Sequence, residues 1–301
     1  MKGISNALVK SVSIVGIGIL LLGDTSSFAQ TAPDSVHNPF LASNHKSALP
    51  HYIVRQANVV FPEILKGNEE EAMAYIEKFS VNRRDYIIRM FSKGKTFLPK
   101  ATAILKKYQL PEELKVLLPL ESAYNGNAVS KAGAVGYWQI MDEVAKEYGM
   151  QYVTHLTAAE KKKLAKLQAA KKQKGKKVMV KKDDRMNFSV ATHTAARYLR
   201  DRRRNLEDNW LLVVASYNCG VGNVWNAMAR SGKENPTFWD IKNLLPAETR
   251  AYVLNFITLN VIFNNYEAFI NKQLTFREEK ILLPANLNDL LLEVPSDYIE
   301  K

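Results

Sequence analysis

Apolar residues recur at helical spacing through most of this chain. Between about residue 50 and residue 270 they stand three or four positions apart, and few runs alternate apolar and polar residues as a half-buried strand would. The pattern predicts an all-α fold. The predicted helices are Glu69 to Phe79, Asn82 to Ser92, Leu98 to Tyr108, Pro111 to Ser122, Met141 to Tyr148, Thr157 to Ala170, Asn187 to Arg204, Asn209 to Asn218, Val221 to Arg230 and Ala247 to Asn264.

The first 29 residues have a different pattern. Lys2 and Lys10 precede an apolar run from Val12 to Leu22, and small residues follow up to Ala29, as in a cleaved signal peptide. The run is shorter than the roughly 20 apolar residues that cross a bilayer, which disfavours a transmembrane anchor. We therefore expect an exported protein that resides in the periplasm and is cleaved after Ala29.

The remaining sequence divides by composition. Residues 30–49 are rich in Pro, Ser, Asn and Ala and predict a linker. Residues 50–110 predict a helical segment that packs on a larger helical domain, residues 111–270, and residues 271–301 predict an extended C-terminal tail with no assigned function. The single cysteine, Cys219, excludes an intramolecular disulfide.

The net charge of +12 comes mainly from one insertion, residues 160–182, which holds eleven lysines and no acid after its first residue. A solvated surface insertion explains this composition, and weak attraction to anionic envelope polymers is a second interpretation. Nucleic-acid binding is disfavoured because the run lacks interleaved aromatic residues and any nucleic-acid module. The histidines and the cysteine lack the spacing of metal ligands, so neither a metal nor another cofactor is predicted.

One acidic residue interrupts an apolar helix face. In the helix predicted from Pro111, the residues Leu114, Leu117, Leu118 and Glu121 share one face. Partial desolvation and the negative end of the helix dipole both disfavour ionisation of Glu121, so its pKa is expected to rise. A carboxyl group protonated near neutral pH suits a general acid, whereas a glutamate at a helix end more commonly points into water.

The residues that follow favour sugar recognition. Gly133 and Gly136 permit close backbone approach, while Tyr137, Trp138 and Gln139 offer stacking and hydrogen bonds. A second cluster of the same kind, "ASYNCGVGNVW", occupies residues 215–225. Each cluster alone is a weak signal, since turns and cores use the same residue types.

Four ordered motifs give the sequence a family resemblance. They are "ESAYN" from Glu121, "AVGYWQIM" from Ala134, "ASYNCG" from Ala215 and "ETRAYV" from Glu248. Together they resemble the ESxxN, GLWQ, AYNxG and late-tyrosine motifs of lytic transglycosylases with the soluble-transglycosylase catalytic domain, which are related in fold to goose-type lysozyme. Over roughly residues 60–265 the chain is similar to the membrane-bound lytic transglycosylase D subfamily.

The resemblance implies roles for individual residues. Glu121 would be the catalytic acid, Ser122 would hold its carboxyl group or the substrate, and Tyr252 would orient the acid. The remaining implied substrate-binding residues are Asn125, Gln139, Met141, Tyr217 and Asn218. Tyr137, Ser216 and Asp142 depart from the family pattern, and Asp142 would either cap the following helix or act as a hydrolytic base.

The resemblance also implies the chemistry. Glu121 would cleave the β-1,4 bond between N-acetylmuramic acid and N-acetylglucosamine in peptidoglycan strands, leaving a 1,6-anhydromuramoyl end, with the substrate's N-acetyl group replacing a second carboxylate. A hydrolase of goose-type lysozyme character and a non-catalytic peptidoglycan-binding protein remain alternatives. Neither the mode of cleavage along the strand nor protein partners follow from the sequence.

Overall fold

The computed structural model describes residues 52–154 and 182–282. Within these ranges, Val60–Ile270 form one compact unit, and the residues up to Val59 together with those from Asn271 form another. The predicted signal peptide, the linker, the helix Thr157 to Ala170 and nearly all of the lysine-rich insertion lie outside the described residues. Among the helices that are described, none has the length and apolar character needed to cross a bilayer.

The larger unit is helical, which confirms the all-α prediction. Its α-helices, numbered here over the described residues, are α1 (Glu69–Asn82), α2 (Arg84–Gly94), α3 (Leu98–Lys107), α4 (Leu117–Ser122), α5 (Asp142–Glu147), α6 (Phe188–Asn205), α7 (Trp210–Cys219), α8 (Val221–Ser231), α9 (Phe238–Ile241), α10 (Ala247–Asn264) and α11 (Tyr266–Ile270). Most match a predicted helix within three residues. The short helices α9 and α11 were not predicted.

The predicted helix from Pro111 to Ser122 is divided into two parts. A 3₁₀ helix covers Glu112–Val116, and α4 follows it directly. Pro119 lies inside α4 and has no N–H for the carbonyl four residues earlier, so regular α-helical bonding cannot extend through both turns. The predicted apolar face survives this division, because its three leucines are completely buried.

Two helices are buried on nearly all sides and form the centre of this unit. Every residue of α7 after Trp210 is buried, and α10 buries ten of its residues from Thr249 to Ile262. A helix that is apolar around its whole circumference must be covered by other elements. Helices α1, α7 and α4 all pack on α10, which brings the carboxyl end of α4 next to the first turns of α10.

The second unit contains a two-stranded antiparallel sheet. Strand β1 (Tyr52–Arg55) pairs with β2 (Glu279–Leu282), with Arg55 opposite Glu279. Beside the sheet, Asn58 and Thr275 exchange two hydrogen bonds, from Asn58 N to Thr275 O at 3.0 Å and from Thr275 N to Asn58 Oδ1 at 2.8 Å. In the described part of the tail, Glu279–Leu282 is the extended strand, and turns and bends precede it.

The chain is closed at the base of the lysine-rich insertion. Asp184 N donates to Gln151 O at 2.8 Å, and Gln151 N donates to Asp184 Oδ2 at 2.9 Å. Val153 N donates to Asp183 Oδ2 at 3.1 Å. We call residues 151–153 and 183–185 the insertion stem. Its hydrogen bonds hold the two flanks of the insertion together.

Candidate functional site

Glu121 lies in the protein interior. As the fifth residue of α4 it continues the face formed by the buried leucines, and it is only 1% exposed. The sequence predicted a partly desolvated position at the edge of the apolar face, but the structure buries the carboxyl group completely. The alternative in which Glu121 points into water is wrong.

Among the described residues, one hydrogen bond reaches the Glu121 carboxyl group, and it comes from α10. Tyr252 donates its hydroxyl hydrogen to Glu121 Oε1, and the two oxygen atoms are 2.5 Å apart. The other carboxyl oxygen, Oε2, is buried and has no hydrogen-bond partner among the described residues. Tyr252 thus fixes one side of the acid and leaves the other oxygen uncommitted.

The surroundings of Glu121 favour its protonated form. Burial raises its pKa from an ordinary 4.5 to about 8; the hydrogen bond from Tyr252 acts in the opposite direction, and the negative charge of Glu248 raises the pKa further. Glu248 is exposed and lies one helical turn before Tyr252 on α10. At neutral pH the carboxyl group therefore carries a proton.

An unusual turn follows the acid. Ala123 and Tyr124 both have left-handed backbone conformations, with φ of 48° and 62°. Such conformations cost free energy for residues with a side chain and are concentrated at functional sites. The turn ends α4 immediately after Glu121 and Ser122 and directs the chain away from the helix axis.

Ser122 contacts the backbone rather than the acid. Its hydroxyl donates to Tyr137 O at 2.8 Å and accepts from Asn125 N at 3.2 Å. The hydrogen bond to the Glu121 carboxyl group that the resemblance implied is absent from the bonds of the described residues. The hydroxyl instead attaches α4 to the segment Ala134–Met141, which we call the motif loop.

The motif loop is a compact turn with paired ends. Val135 and Ile140 exchange backbone hydrogen bonds of 3.1 and 3.0 Å. Between them, Gln139 is fully buried with φ of 47°, and its Nε2 donates to Gly136 O at 2.9 Å and Ala128 O at 3.2 Å. Gln139 Oε1 has no partner among the described residues, so the site holds a second uncommitted buried oxygen.

Gly136 makes this turn possible. Its φ is +83°, and a Cβ atom at this position would lie 1.9 Å from the carbonyl oxygen of Arg185. Any side chain would collide with backbone atoms that cannot rotate away. The glycine therefore meets both a conformational and a steric requirement.

Tyr217 and Trp138 join the motif loop to α7 and α6. Tyr217 donates its hydroxyl hydrogen to Trp138 O at 2.8 Å, and Trp138 Nε1 donates to Thr192 Oγ1 at 2.9 Å. Burial, and next the charge of Glu121, raise the pKa of Tyr217 well above its usual value. Its hydroxyl is already engaged by the backbone, and the side chain is fully buried.

The remaining predicted site residues are spread around this centre. Asn218 is 5% exposed, and its Oδ1 accepts from Thr249 Oγ1 at 2.7 Å, which joins α7 to the first turn of α10. Met141 is half-buried at the end of the motif loop. Asn125 is exposed, and its Oδ1 accepts from Asn127 N at 3.0 Å within the turn after α4.

The side chain of Asp142 does not cap the helix that follows the motif loop. Asp142 is the first residue of α5, and its carboxylate pairs with Arg185, whose Nη1 lies 2.5 Å from Asp142 Oδ1. No side-chain cap is present at this helix start. A carboxylate paired with a buried guanidinium is engaged in an ion pair, which argues against its use as a hydrolytic base.

Sequence reasoning missed two residues near the site. Glu248 stands within the "ETRAYV" motif, and its spacing of four from Tyr252 was a usable signal. Arg185 lies just beyond the lysine-rich insertion, and nothing in its local sequence distinguishes it from the many basic residues that precede it.

Comparison with known proteins supports the motif resemblance. The model of the transglycosylase SLT domain matches residues 100–239. Membrane-bound lytic murein transglycosylase D of Escherichia coli strain K12 is 26% identical over 186 residues, which are 61% of this chain and 35% of that protein. A putative tributyltin chloride resistance protein of Alteromonas sp. strain M-1 is 23% identical over 139 residues, 46% of this chain and 55% of its own.

Two solved structures share a weaker similarity. An inactive mutant of the lytic transglycosylase Slt from Pseudomonas aeruginosa aligns with a TM-score of 0.40 and 21% identity, over 58% of this chain and 24% of its own. The 70 kDa soluble lytic transglycosylase of Escherichia coli aligns with a TM-score of 0.41 and 17% identity, over 70% of this chain and 33% of its own.

The matched region contains the first three motifs, while Tyr252 and Glu248 lie beyond its end. The chain spans about a third of the length of the transglycosylase D that it matches. The match supports the resemblance drawn from the motifs: residues 100–239 match the transglycosylase SLT domain, and the chain is similar to membrane-bound lytic murein transglycosylase D over 186 residues.

Proposed function

We propose that this chain is a peptidoglycan lytic transglycosylase with Glu121 as its catalytic acid. It would cleave the β-1,4 bond between N-acetylmuramic acid and N-acetylglucosamine and leave 1,6-anhydromuramoyl ends. The observation that carries the proposal is the buried, protonated carboxyl group of Glu121, bonded to Tyr252 next to the motif loop of an SLT domain.

The first step is proton donation. Glu121 gives the proton of its uncommitted oxygen to the bridging glycosidic oxygen, and the bond from that oxygen to C1 of N-acetylmuramic acid breaks. The carbonyl of the sugar's own N-acetyl group stabilises the positive charge at C1. Tyr252 then stabilises the new carboxylate, because its hydroxyl already donates to Oε1.

The second step returns the proton. The Glu121 carboxylate removes it from the C6 hydroxyl of the same N-acetylmuramic acid, and O6 bonds to C1 to close the anhydro ring. No water is consumed, and the acid is ready for another turnover. This sequence requires one carboxyl group that alternates between acid and base, which a pKa of about 8 permits near neutral pH.

Substrate access requires local movement. Glu121 is 1% exposed and Tyr252 is 8% exposed, so a glycan oxygen reaches the acid only when neighbouring side chains shift on binding. Gln139 Oε1 is an acceptor available for a sugar hydroxyl or amide. Asn125 and Met141, which keep exposed surface, are the residues best placed to meet the strand first.

The mass of the products tests the reaction. Purified peptidoglycan incubated with the protein should release muropeptides with 1,6-anhydromuramoyl ends, each one water lighter than a reducing end. Reducing ends instead would identify a hydrolase of the goose-type lysozyme class. Binding of glycan without release of any muropeptide would identify a wall-binding protein and contradict the proposal.

We also propose that the mature protein is exported to the periplasm. The support is the signal-like sequence of residues 1–29 and the homology to a membrane-bound murein transglycosylase. The lysine-rich insertion would then meet anionic envelope polymers, to which its charge would attract it weakly. Sequencing the N-terminus of the protein from the envelope fraction should find Gln30 first, whereas an intact N-terminus would contradict cleavage.

Two substitutions near Glu121 should shift the fall in activity at high pH in opposite directions. We call this high-pH side of the pH–activity profile the basic limb. In the wild-type protein, activity falls as Glu121 loses its proton near pH 8. Tyr252→Phe removes the hydrogen bond that lowers the pKa of Glu121, so the limb moves to higher pH. Glu248→Gln removes the negative charge that raises this pKa, so the limb moves to lower pH.

The measurement is kcat/KM on peptidoglycan between pH 5 and pH 10. Tyr252→Phe should also lower the maximal rate, because the acid loses its orientation, whereas Glu248→Gln keeps that hydrogen bond. Glu267→Gln on α11 is the control for loss of an acidic residue elsewhere. A shift of the basic limb in the same direction in Tyr252→Phe and Glu248→Gln would contradict the effects assigned to these two residues on the pKa of Glu121.

A further inference from the structure

Arg185, a buried residue outside the four motifs, contacts the motif loop in two places, through its guanidinium group at Ile140 and through its backbone at Gly136. The Arg185 side chain has no exposed surface. We propose that Arg185 is a positioning residue that holds the motif loop in place beside Glu121. The proposal rests on the proposed function, in which this loop lines the glycan site.

The first contact is with the C-terminal end of the loop. Arg185 Nη1 donates to Ile140 O at 3.3 Å and to Asp142 Oδ1 at 2.5 Å. These bonds fix the last part of the motif loop and the first residue of α5 to the same charged group. An ionised donor makes them stronger than bonds between neutral groups.

The second contact is with the N-terminal half of the loop. Gly136 packs so closely on the backbone of Arg185 that a Cβ atom would lie 1.9 Å from its carbonyl oxygen. Only three residues, Tyr137, Trp138 and Gln139, lie between Gly136 and Ile140. Arg185 thus contacts the loop both before and after Trp138 and Gln139.

Arg185 is itself fixed to the insertion stem. Its Nε donates to Asp183 Oδ1 at 3.0 Å and its Nη2 to Asp183 Oδ2 at 2.8 Å, while Nη2 also donates to Val153 O at 2.8 Å. Burial favours a raised pKa for Asp183, but the bonds from Arg185 and the Val153 N–H prevail and lower it. The carboxylate therefore stays ionised and holds the guanidinium group in one geometry.

Among the described residues, Arg185 completes a set of three side chains from outside the loop that donate to its backbone carbonyls. Ser122 on α4 donates to Tyr137 O, and Tyr217 on α7 donates to Trp138 O. Arg185 donates to Ile140 O. The first two come from helices that carry site residues and bind the middle of the loop. Without the third, the end of the loop that contains Ile140 and Met141 loses its charged anchor.

A purely stabilising role is the competing explanation, because removal of one member of a buried ion pair is costly anywhere. The two explanations differ in where the effect appears. A positioning residue changes turnover and the local order of the motif loop at temperatures where the protein is fully folded. A stabilising residue lowers the unfolding temperature and leaves turnover of the folded protein unchanged.

The test compares Arg185→Lys with Asp142→Asn and with Arg84→Lys as a matched control. Asp142 is partly exposed, so Asp142→Asn keeps the buried arginine and should fold even where Arg185→Lys does not. Arg84 is also an arginine that donates to two backbone carbonyls, those of Phe269 and Ile270, both at 2.8 Å. Each variant is measured well below its unfolding temperature, for kcat, KM, the midpoint of the basic limb and amide exchange in peptides of the motif loop.

We expect Arg185→Lys to lower kcat by about 10- to 100-fold and Asp142→Asn by a smaller factor, since a displacement of about 1 Å at a site has effects of this size. The basic limb should stay near pH 8, because Glu121 keeps its contacts, and the Val135 and Ile140 amides should exchange faster. Arg84→Lys should leave both kcat and the exchange of the motif-loop amides at their wild-type values. If Arg185→Lys and Asp142→Asn leave kcat and loop exchange at the wild-type values, the proposal is wrong.

The exchange measurement needs no substrate, so it separates this proposal from the proposed function. If the motif loop exchanges faster in Arg185→Lys while the wild-type protein releases no anhydro products, the positioning role of Arg185 stands and the proposed reaction is wrong. If the motif loop exchanges at the wild-type rate in Arg185→Lys while the wild-type protein does release anhydro products, the positioning role is wrong and the proposed reaction stands.

Discussion

Glu121→Gln is expected to lower transglycosylase activity by about 10²- to 10⁴-fold, because general acid catalysis contributes factors of this size and an amide is far too weak an acid to protonate the glycosidic oxygen. The substitution preserves shape, and the amide oxygen can still accept the Tyr252 hydroxyl. Turnover of purified peptidoglycan measures the loss. Activity within tenfold of the wild-type value would exclude Glu121 as the acid.

The same substitution should change how stability depends on pH. The folded pKa of about 8 exceeds the ordinary value of 4.5, so Glu121 contributes its full stability below pH 4.5. This stability falls as the pH rises, and its loss is complete above about pH 8, at a cost on the order of 5 kcal/mol. Urea unfolding between pH 4 and pH 9 should show this decline in the wild type and not in Glu121→Gln.

A decline of equal size in both proteins would show that other groups cause it. Tyr252→Phe is a useful third protein, because loss of the hydrogen bond that lowers the pKa of Glu121 should make the decline larger. The activity and stability measurements are independent, since one reports proton donation and the other reports the cost of burying a charge.

Gly136→Ala is expected to have the largest effect on the fold. Alanine at a positive φ costs about 1 to 2 kcal/mol, and the collision of its Cβ with the Arg185 carbonyl adds an overpacking cost of about 1 to 3 kcal/mol. The free energy of unfolding should therefore fall by about 3 kcal/mol. The motif loop must also move away from Arg185, so activity should fall with it.

Gly232→Ala is the control for the backbone contribution. Gly232 has a φ of +68°, and no atom lies within 4 Å of the position of its Cβ. Its substitution should cost only about 1 kcal/mol and leave activity unchanged. Equal losses of stability in the two variants would mean that the close approach of Arg185 to Gly136 is not a constraint on the fold.

The helices of the larger unit were largely predictable because each buries one face along a continuous stretch of sequence. Helix α10 was predicted with its observed ends, since Pro246 precedes it and its apolar residues repeat throughout. The division of the helix at Glu112–Val116 was less evident. Pro119 indicated a disturbance, but the position of the 3₁₀ turn depends on packing of the whole segment.

The strands could not be predicted from local pattern. β1 and β2 have four residues each, too few for an alternating pattern to stand out, and they are separated by more than 220 residues in the sequence. Pairing over such distances depends on the positions of the chain ends after folding. The short helices α9 and α11 were equally hard to predict from sequence, because four or five residues carry little periodicity.

The candidate site was predictable in its chemistry and less so in its contacts. The apolar face of α4 predicted the raised pKa of Glu121, and burial is its largest cause. The partner of the Ser122 hydroxyl was not predictable, because the same motif position allows a bond to the acid or to the backbone. The burial of Arg185 depends on Asp183, Asp142 and the two carbonyls that receive its hydrogen bonds, and these come together only in three dimensions.

The insertion stem has a practical consequence for engineering. Because Gln151 and Asp184 bond directly to each other, the two ends of the segment between them lie close together. Replacement of residues 155–181 by a foreign module leaves the insertion stem and its contacts with Arg185 in place, so it should put little tension on the fold. A fluorescent reporter or a wall-targeting module grafted at this position should leave the fold of the helical unit unchanged.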